Sequence, residues 1–185
     1  MTIAACWVEN PFKQSASLSP WRKQHEDGFR VPQNPKGKLP VKASIPIGVR
    51  RVCGIEIPNP ISNIADAVEK SEYILKLPDD WDEEGSPHYE RATWERAVKF
   101  VIHNASALWR KEGVITEAPA IHNGPDGSID IHWKIGAKEL LLNVPATSGR
   151  PSAFFGKDKA SGFETKGNLD TSATNEWLLM WITEK

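Results

Sequence analysis

Ser128-Ile129-Asp130-Ile131-His132-Trp133-Lys134-Ile135-Gly136-Ala137-Lys138-Glu139-Leu140-Leu141-Leu142-Asn143-Val144 places apolar side chains at every second position, the period of a strand with one buried face. Setting Ile131 against Leu142 and Trp133 against Leu140 opposes apolar to apolar. That register leaves Ile135, Gly136, Ala137 and Lys138 to turn a hairpin. Before it, Ala120-Ile121-His122 is joined to Ser128 through Asn123-Gly124-Pro125-Asp126-Gly127, a strong turn signal. After it, Ala153-Phe154-Phe155-Gly156 and Gly162-Phe163-Glu164-Thr165-Lys166-Gly167 suit two further short strands. An antiparallel meander of about four or five strands follows from this spacing.

Helical periods flank the meander. Pro60 suits a first helical position, and Ile61, Ile64, Ala65, Val68, Ile74 and Leu75 recur on one side before Pro78 stops the helix. Ser86 is a candidate N-cap with Pro87 behind it, and Trp94, Ala97, Val98, Val101, Ile102, Ala105, Leu108 and Trp109 keep helical spacing up to Gly113. Asn175 to Ile182 predicts a closing helix that buries Leu178, Leu179 and Ile182. Segregated helices and strands predict an α+β fold, with two helices and a C-terminal helix packed on the sheet, because each amphipathic face needs an opposing one.

The chain ahead of these elements is different. Eight prolines lie between Pro11 and Pro60, which disfavours regular structure. Between Ala43 and Ile57 one or two short edge strands are expected, broken by Pro46 and Gly54. Residues 1–52 hold nine Lys and Arg against three acidic residues, +6, so the rest sums to −7 within a net charge of −1. The expected organisation is a basic, Pro-rich extended arm over 1–52 and an α+β domain over 53–185. Two cysteines, Cys6 and Cys53, are too few for a disulfide framework and lack zinc-site spacing, and neither has a neighbour that would activate a thiol. A reducing cytoplasm is the expected location. The opening residues run into Glu9-Asn10-Pro11 with no basic leader, and no run approaches the ~18 apolar residues of a membrane span, so no membrane partner is expected. Eight tryptophans against two tyrosines predict that most of the indoles lie in the core.

Three groups of residues could carry function. The densest is Leu77-Pro78-Asp79-Asp80-Trp81-Asp82-Glu83-Glu84-Gly85-Ser86-Pro87, five acidic side chains in one turn. Asp80, Asp82 and Glu84 before Gly85 match the opening of a calcium loop, but Arg91 stands where its closing acid belongs. The alternatives are an acidic turn with Trp81 buried beneath it, or a partner-binding surface of Asp80, Trp81, Asp82, Glu83 and Glu84, with Arg50 and Arg51 either sharing that role or pairing with Asp79 to Glu84. Second, His122, Asp130 and His132 fall on the outer sheet face, where two imidazoles and a carboxylate could hold a metal or exchange protons; solvated polar alternation is the simpler account. Third, the arm interleaves Trp7, Phe12, Trp21 and Phe29 with Lys13, Arg22, Lys23 and Arg30, a mixture used for single-stranded nucleic acid that also suits anchoring on an acidic body. No P-loop, nucleophile elbow, G-x-G-x-x-G or H-E-x-x-H is present.

The ordered set Ile57-Pro58-Asn59-Pro60, Ser71-Glu72-Tyr73-Ile74, Leu77 to Ser86, Thr93-Trp94-Glu95-Arg96-Ala97, Pro125-Asp126-Gly127-Ser128-Ile129-Asp130 and Gly167-Asn168-Leu169-Asp170 resembles a family of bacterial proteins that share this motif order from about Arg51 to Ile182. No reaction or catalytic residue is attached to that family. The resemblance implies a bacterial genome rich in mobile and defence loci.

The expectation is therefore a non-enzymatic accessory protein that binds another protein, in a bacterial defence or CRISPR-linked module, with no catalytic residue, metal or cofactor assigned. A metal-dependent hydrolase or nuclease, and a nucleic-acid binder through residues 1–52, are the alternatives.

Overall fold

A computed structural model describes residues 48–184. The expectations for Cys6, for the aromatic and basic residues of the arm, for its role towards nucleic acid, and for Ile45, Pro46 and Ile47 fall outside the described residues.

The first two strands, β1 (Val49–Val52) and β2 (Ile55–Pro58), form an antiparallel pair that places Val52 opposite Ile55. Cys53 and Gly54 turn between them, both with positive φ (51° and 76°), the backbone that a two-residue hairpin turn requires. Val52 and Ile57 are buried, and the pair packs on α1 (Ser62–Lys70) and α2 (Arg91–Glu112). A single turn at Asn59–Ile61 leads into α1, and a 3-10 segment at Ser71–Lys76 carries the chain on, so the apolar run from Ile61 to Ile74 lies on one buried side as its spacing predicted.

Helix α2 ends where expected: Gly113 adopts φ 67° and its N–H donates to the Trp109 carbonyl, the left-handed C-terminal stop that glycine makes without a Cβ penalty. Its start corrects the sequence expectation. Ser86 does not cap the helix; residues 87–90 lie outside it, Glu90 is extended and the helix begins at Arg91, because the Ser86 hydroxyl is bound to Asp82 and the His88 N–H to Asp79. Side chain and backbone are both committed to the preceding turn.

Five strands, β3 (Ala120–Asn123), β4 (Ile129–Ile135), β5 (Lys138–Val144), β6 (Ser152–Asp158) and β7 (Glu164–Leu169), make one antiparallel meander in chain order. The central register is the predicted one, Ile131 against Leu142 and Trp133 against Leu140. The turn is tighter than expected: Ile135 pairs with Lys138, leaving only Gly136 and Ala137 outside the ladder. Ile129, Ile131, Trp133, Leu140, Leu142 and Val144 form the buried face, which α2 covers with Trp94, Ala97, Val98, Val101, Ile102, Ala105 and Leu108.

The last helix, α3 (Glu176–Thr183), is tied to α2 at its start, where Asn104 accepts the Asn175 N–H at 2.6 Å through its amide oxygen and donates to the Phe100 carbonyl. At its end the Lys138 ammonium donates to the Trp181 and Glu184 carbonyls, a cationic cap on the negative end of the helix. The described residues thus form an α+β structure of three α-helices with a two-stranded and a five-stranded antiparallel sheet. None of these helices is long and apolar enough to cross a membrane. Tryptophan is less internal than its abundance predicted: Trp94 and Trp133 are buried, whereas Trp81 and Trp177 are exposed and Trp109 and Trp181 half-buried.

Candidate functional site

The acidic turn is fastened by its own aspartates. The Asp80 N–H donates to the Ser86 carbonyl at 2.7 Å, and the Gly85 N–H returns to the Asp80 carboxylate at 2.7 Å. Asp82 accepts from the Glu84 N–H, the Ser86 N–H and the Ser86 hydroxyl. Asp79 accepts from the His88 N–H at 2.8 Å and meets the imidazole Nδ1 at 2.8 Å, while His88 Nε2 lies 3.1 Å from Glu90. Hydrogen bonds to the charged form lower a carboxylate's proton affinity. Hence the Ser86 hydroxyl holds Asp82 below the usual carboxylate range, and the His88 N–H does the same for Asp79. In return the Asp79 carboxylate, with Glu90 behind it, raises the His88 imidazole above its ordinary value.

What remains outward is Trp81, Glu83 and Glu84. Trp81 is 36% exposed, which removes the alternative of an indole buried beneath the turn. Its ring leans on Tyr89 at 6.5 Å, and Tyr89 occupies the interior place, with its hydroxyl donating to the Gly124 carbonyl at 2.8 Å. Glu83 and Glu84 are exposed, and neither carboxylate is in an ion pair among the described residues. Arg50 and Arg51 do not reach this turn. Strand β1 instead carries Arg50 to Asp66 and Glu69 on α1, and Arg51 to Glu56 across the two-stranded sheet at 2.7 Å.

The outer sheet face is as the alternation predicts: His122 opposes Asp130, His132 follows two residues on, and none is fully buried. Partial burial, with Lys134 nearby, lowers the proton affinity of His132. Asp130 accepts a hydrogen bond from the Asn143 amide at 2.7 Å. Among the described residues no group of three or more His, Cys, Asp or Glu side chains is arranged to hold a metal ion, in the acidic turn or on this face. The same face carries an apolar strip that the sequence analysis passed over, Leu141 beside Phe155 across the β5–β6 ladder, each more than a third exposed.

A cleft of about 590 Å³ lies between α2 and two loops, lined by Arg96, Lys99 and His103 from the helix and by 148–151 and 170–172 from the loops. The Arg96 guanidinium donates to the carbonyls of Pro145 and Ala146, which holds it in the wall. Arg96, Lys99 and His103 stand at i, i+3 and i+7, so their shared helix face was readable from spacing. Arg150 and Ser172 were not, because only the folded loops bring them opposite α2. Comparison with protein-family models, with curated proteins and with solved structures finds no match to this chain.

Proposed function

We propose that this chain is a non-enzymatic accessory protein that binds another protein, with the acidic turn as its recognition surface for a basic segment of the partner. The observation that carries this reading is the division of labour within the turn. Asp79, Asp80 and Asp82 are spent on its own backbone, so its shape needs no ligand, while Trp81, Glu83 and Glu84 are left outward. A preformed loop loses little conformational freedom on binding. An exposed indole flanked by free carboxylates offers cation–π contact, apolar area and charge attraction to a Lys- or Arg-bearing segment. The motif order adds the setting, a bacterial defence module.

The test is a Glu83→Gln/Glu84→Gln variant, which removes two charges at constant size and leaves every turn-forming aspartate in place. Tagged wild type and variant are compared by pull-down from lysate of the native host. A partner retained by wild type, released by raised salt and lost by the variant is the expected result. Equal retention by both, or no partner for either, would sink the proposal.

A further inference from the structure

Residues 48–184 carry fifteen Lys and Arg against twenty-one Asp and Glu, a net of −6. Against that background the cleft beside α2 gathers Arg96, Lys99 and Arg150, with His103, around a single carboxylate, Asp170. Asp170 is turned to its own loop: it accepts the Ser172 N–H at 2.8 Å. Lys99 is shared with Glu95 at 3.2 Å, an i,i+4 pair of the weak, solvent-screened kind that yields readily to a stronger anion. Arg96 has two of its five N–H donors aimed at the loop carbonyls, and the anchor aligns the rest of the fork. Ser148 and Thr171 on the facing wall carry hydroxyls that can donate, whereas the Ser172 side chain is bound to Asp170.

Two guanidinium groups, an ammonium and two hydroxyls suit a phosphate's several acceptor oxygens, since Arg binds them in pairs and Lys as a point charge. The volume lies within the ~300–1,000 Å³ of small-molecule sites and exceeds what a bare phosphate fills. We propose that this cleft binds a small phosphorylated molecule, held by its phosphate groups between Arg96, Lys99 and Arg150. The site is separate from the acidic turn and does not depend on the partner-binding proposal.

Titration calorimetry on the full chain, with inorganic pyrophosphate and with AMP as probes, tests it. Lys99→Ala/Arg150→Ala removes two exposed cations of the cleft, and Arg96 is left because it supports the loop. Lys134→Ala/Lys166→Ala removes equal charge from exposed positions of the outer sheet face. Saturable binding of one probe per chain, weakened about tenfold or more in the cleft variant and unchanged in the sheet variant, is expected; losing one charge-assisted hydrogen bond is worth about that factor. No saturable binding of either probe, or equal weakening in both variants, overturns the proposal. So does a short single-stranded oligonucleotide that binds more tightly than either probe and is lost in the cleft variant, for then the cleft would be a strand-binding surface.

Discussion

Gly156 on β6 offers the sharpest test of how α3 sits on the sheet. A Cβ at this position would stand 2.9 Å from the Thr165 methyl on one side and 2.9 and 3.0 Å from two ring carbons of Trp181 on the other. Carbon atoms in contact rest about 3.5–4.0 Å apart, so both neighbours must retreat by roughly half an ångström or more. Neither retreats easily. Thr165 is fixed in the ladder opposite Gly156, and the residue bearing the indole is held at its carbonyl by the Lys138 ammonium, which also lies 5.6 Å from the ring centroid. Overpacking of this kind costs about 1–3 kcal/mol, while alanine returns about 0.4–1 kcal/mol by restricting the unfolded chain. Gly156→Ala is therefore expected to destabilise by about 1–2 kcal/mol, a fall in Tm of about 3–6 °C. Trp181→Phe removes the two clashing ring carbons, so the double variant Gly156→Ala/Trp181→Phe should be more stable than the sum of the single effects by about 1 kcal/mol. Urea unfolding of the four proteins measures this. Strict additivity, or a Gly156→Ala protein as stable as wild type, would refute the packing argument.

Three further outcomes are expected. Trp94 donates from its buried Nε1 to the Ser71 hydroxyl at 2.9 Å, and that hydroxyl donates to the Val68 carbonyl, so a Trp94→Phe/Ser71→Ala cycle in denaturant should show coupling of about 1 kcal/mol; none would deny the bond. Gly113→Ala forces a side chain into φ 67° with no clash, and should cost about 1 kcal/mol through the backbone alone, read as a lowered urea midpoint with an unchanged slope. The His88 ties to Asp79 and Glu90 should be pH-dependent with a definite sign: a raised imidazole keeps them complete below its ordinary 6.5 and loses them as pH climbs through its folded value, whereas the lowered Asp79 and Asp82 keep theirs above 3.8 and lose them as pH falls through their own. An NMR titration placing His88 at or below 6.5 would contradict the geometry.

How much was legible depended on whether the deciding contact was local. The central hairpin register could be read because β4 and β5 alternate in the same apolar order, and a slip of one residue would have turned Trp133 and Leu140 into solvent. The stop at Gly113 could be read because a left-handed residue after a helix is a local demand. Ser86 misled for the complementary reason: its hydroxyl had two possible local partners, the helix ahead and Asp82 four residues behind, and the spacing pattern favours the first. For Trp81 the sequence leaves a buried and a surface role both open, and the choice falls to a distant contact: Tyr89 takes the interior place through Gly124, thirty-five residues away in sequence. Arg50 finds Asp66 and Glu69 only once β1 lies beside α1. The basic cleft was half visible, as a cationic stripe on α2 whose facing loops no periodicity could supply.

The two candidate surfaces share a support, and it lies in the Pro125-Asp126-Gly127-Ser128 turn. Asp126 and Gly127 both take positive φ, and Ser128 closes the turn by donating its N–H and hydroxyl to the Pro125 carbonyl. Gly127 is packed between the two sites: a Cβ there would meet the Ala146 methyl at 3.5 Å and the His88 carbonyl and Pro87 ring at 3.6 Å. Pro87 and His88 are the exit of the acidic turn; Ala146, whose carbonyl accepts from Thr93 and Arg96, begins the loop that walls the cleft. Glycine is required at this point by its backbone conformation, φ 73°, while a Cβ would rest at ordinary contact distance from both loops. The strand-to-strand turn within the meander thus touches both the exit of the acidic turn and the residue that leads into the cleft's loop, so a change of shape in this turn would be felt by the anionic and the cationic surface together.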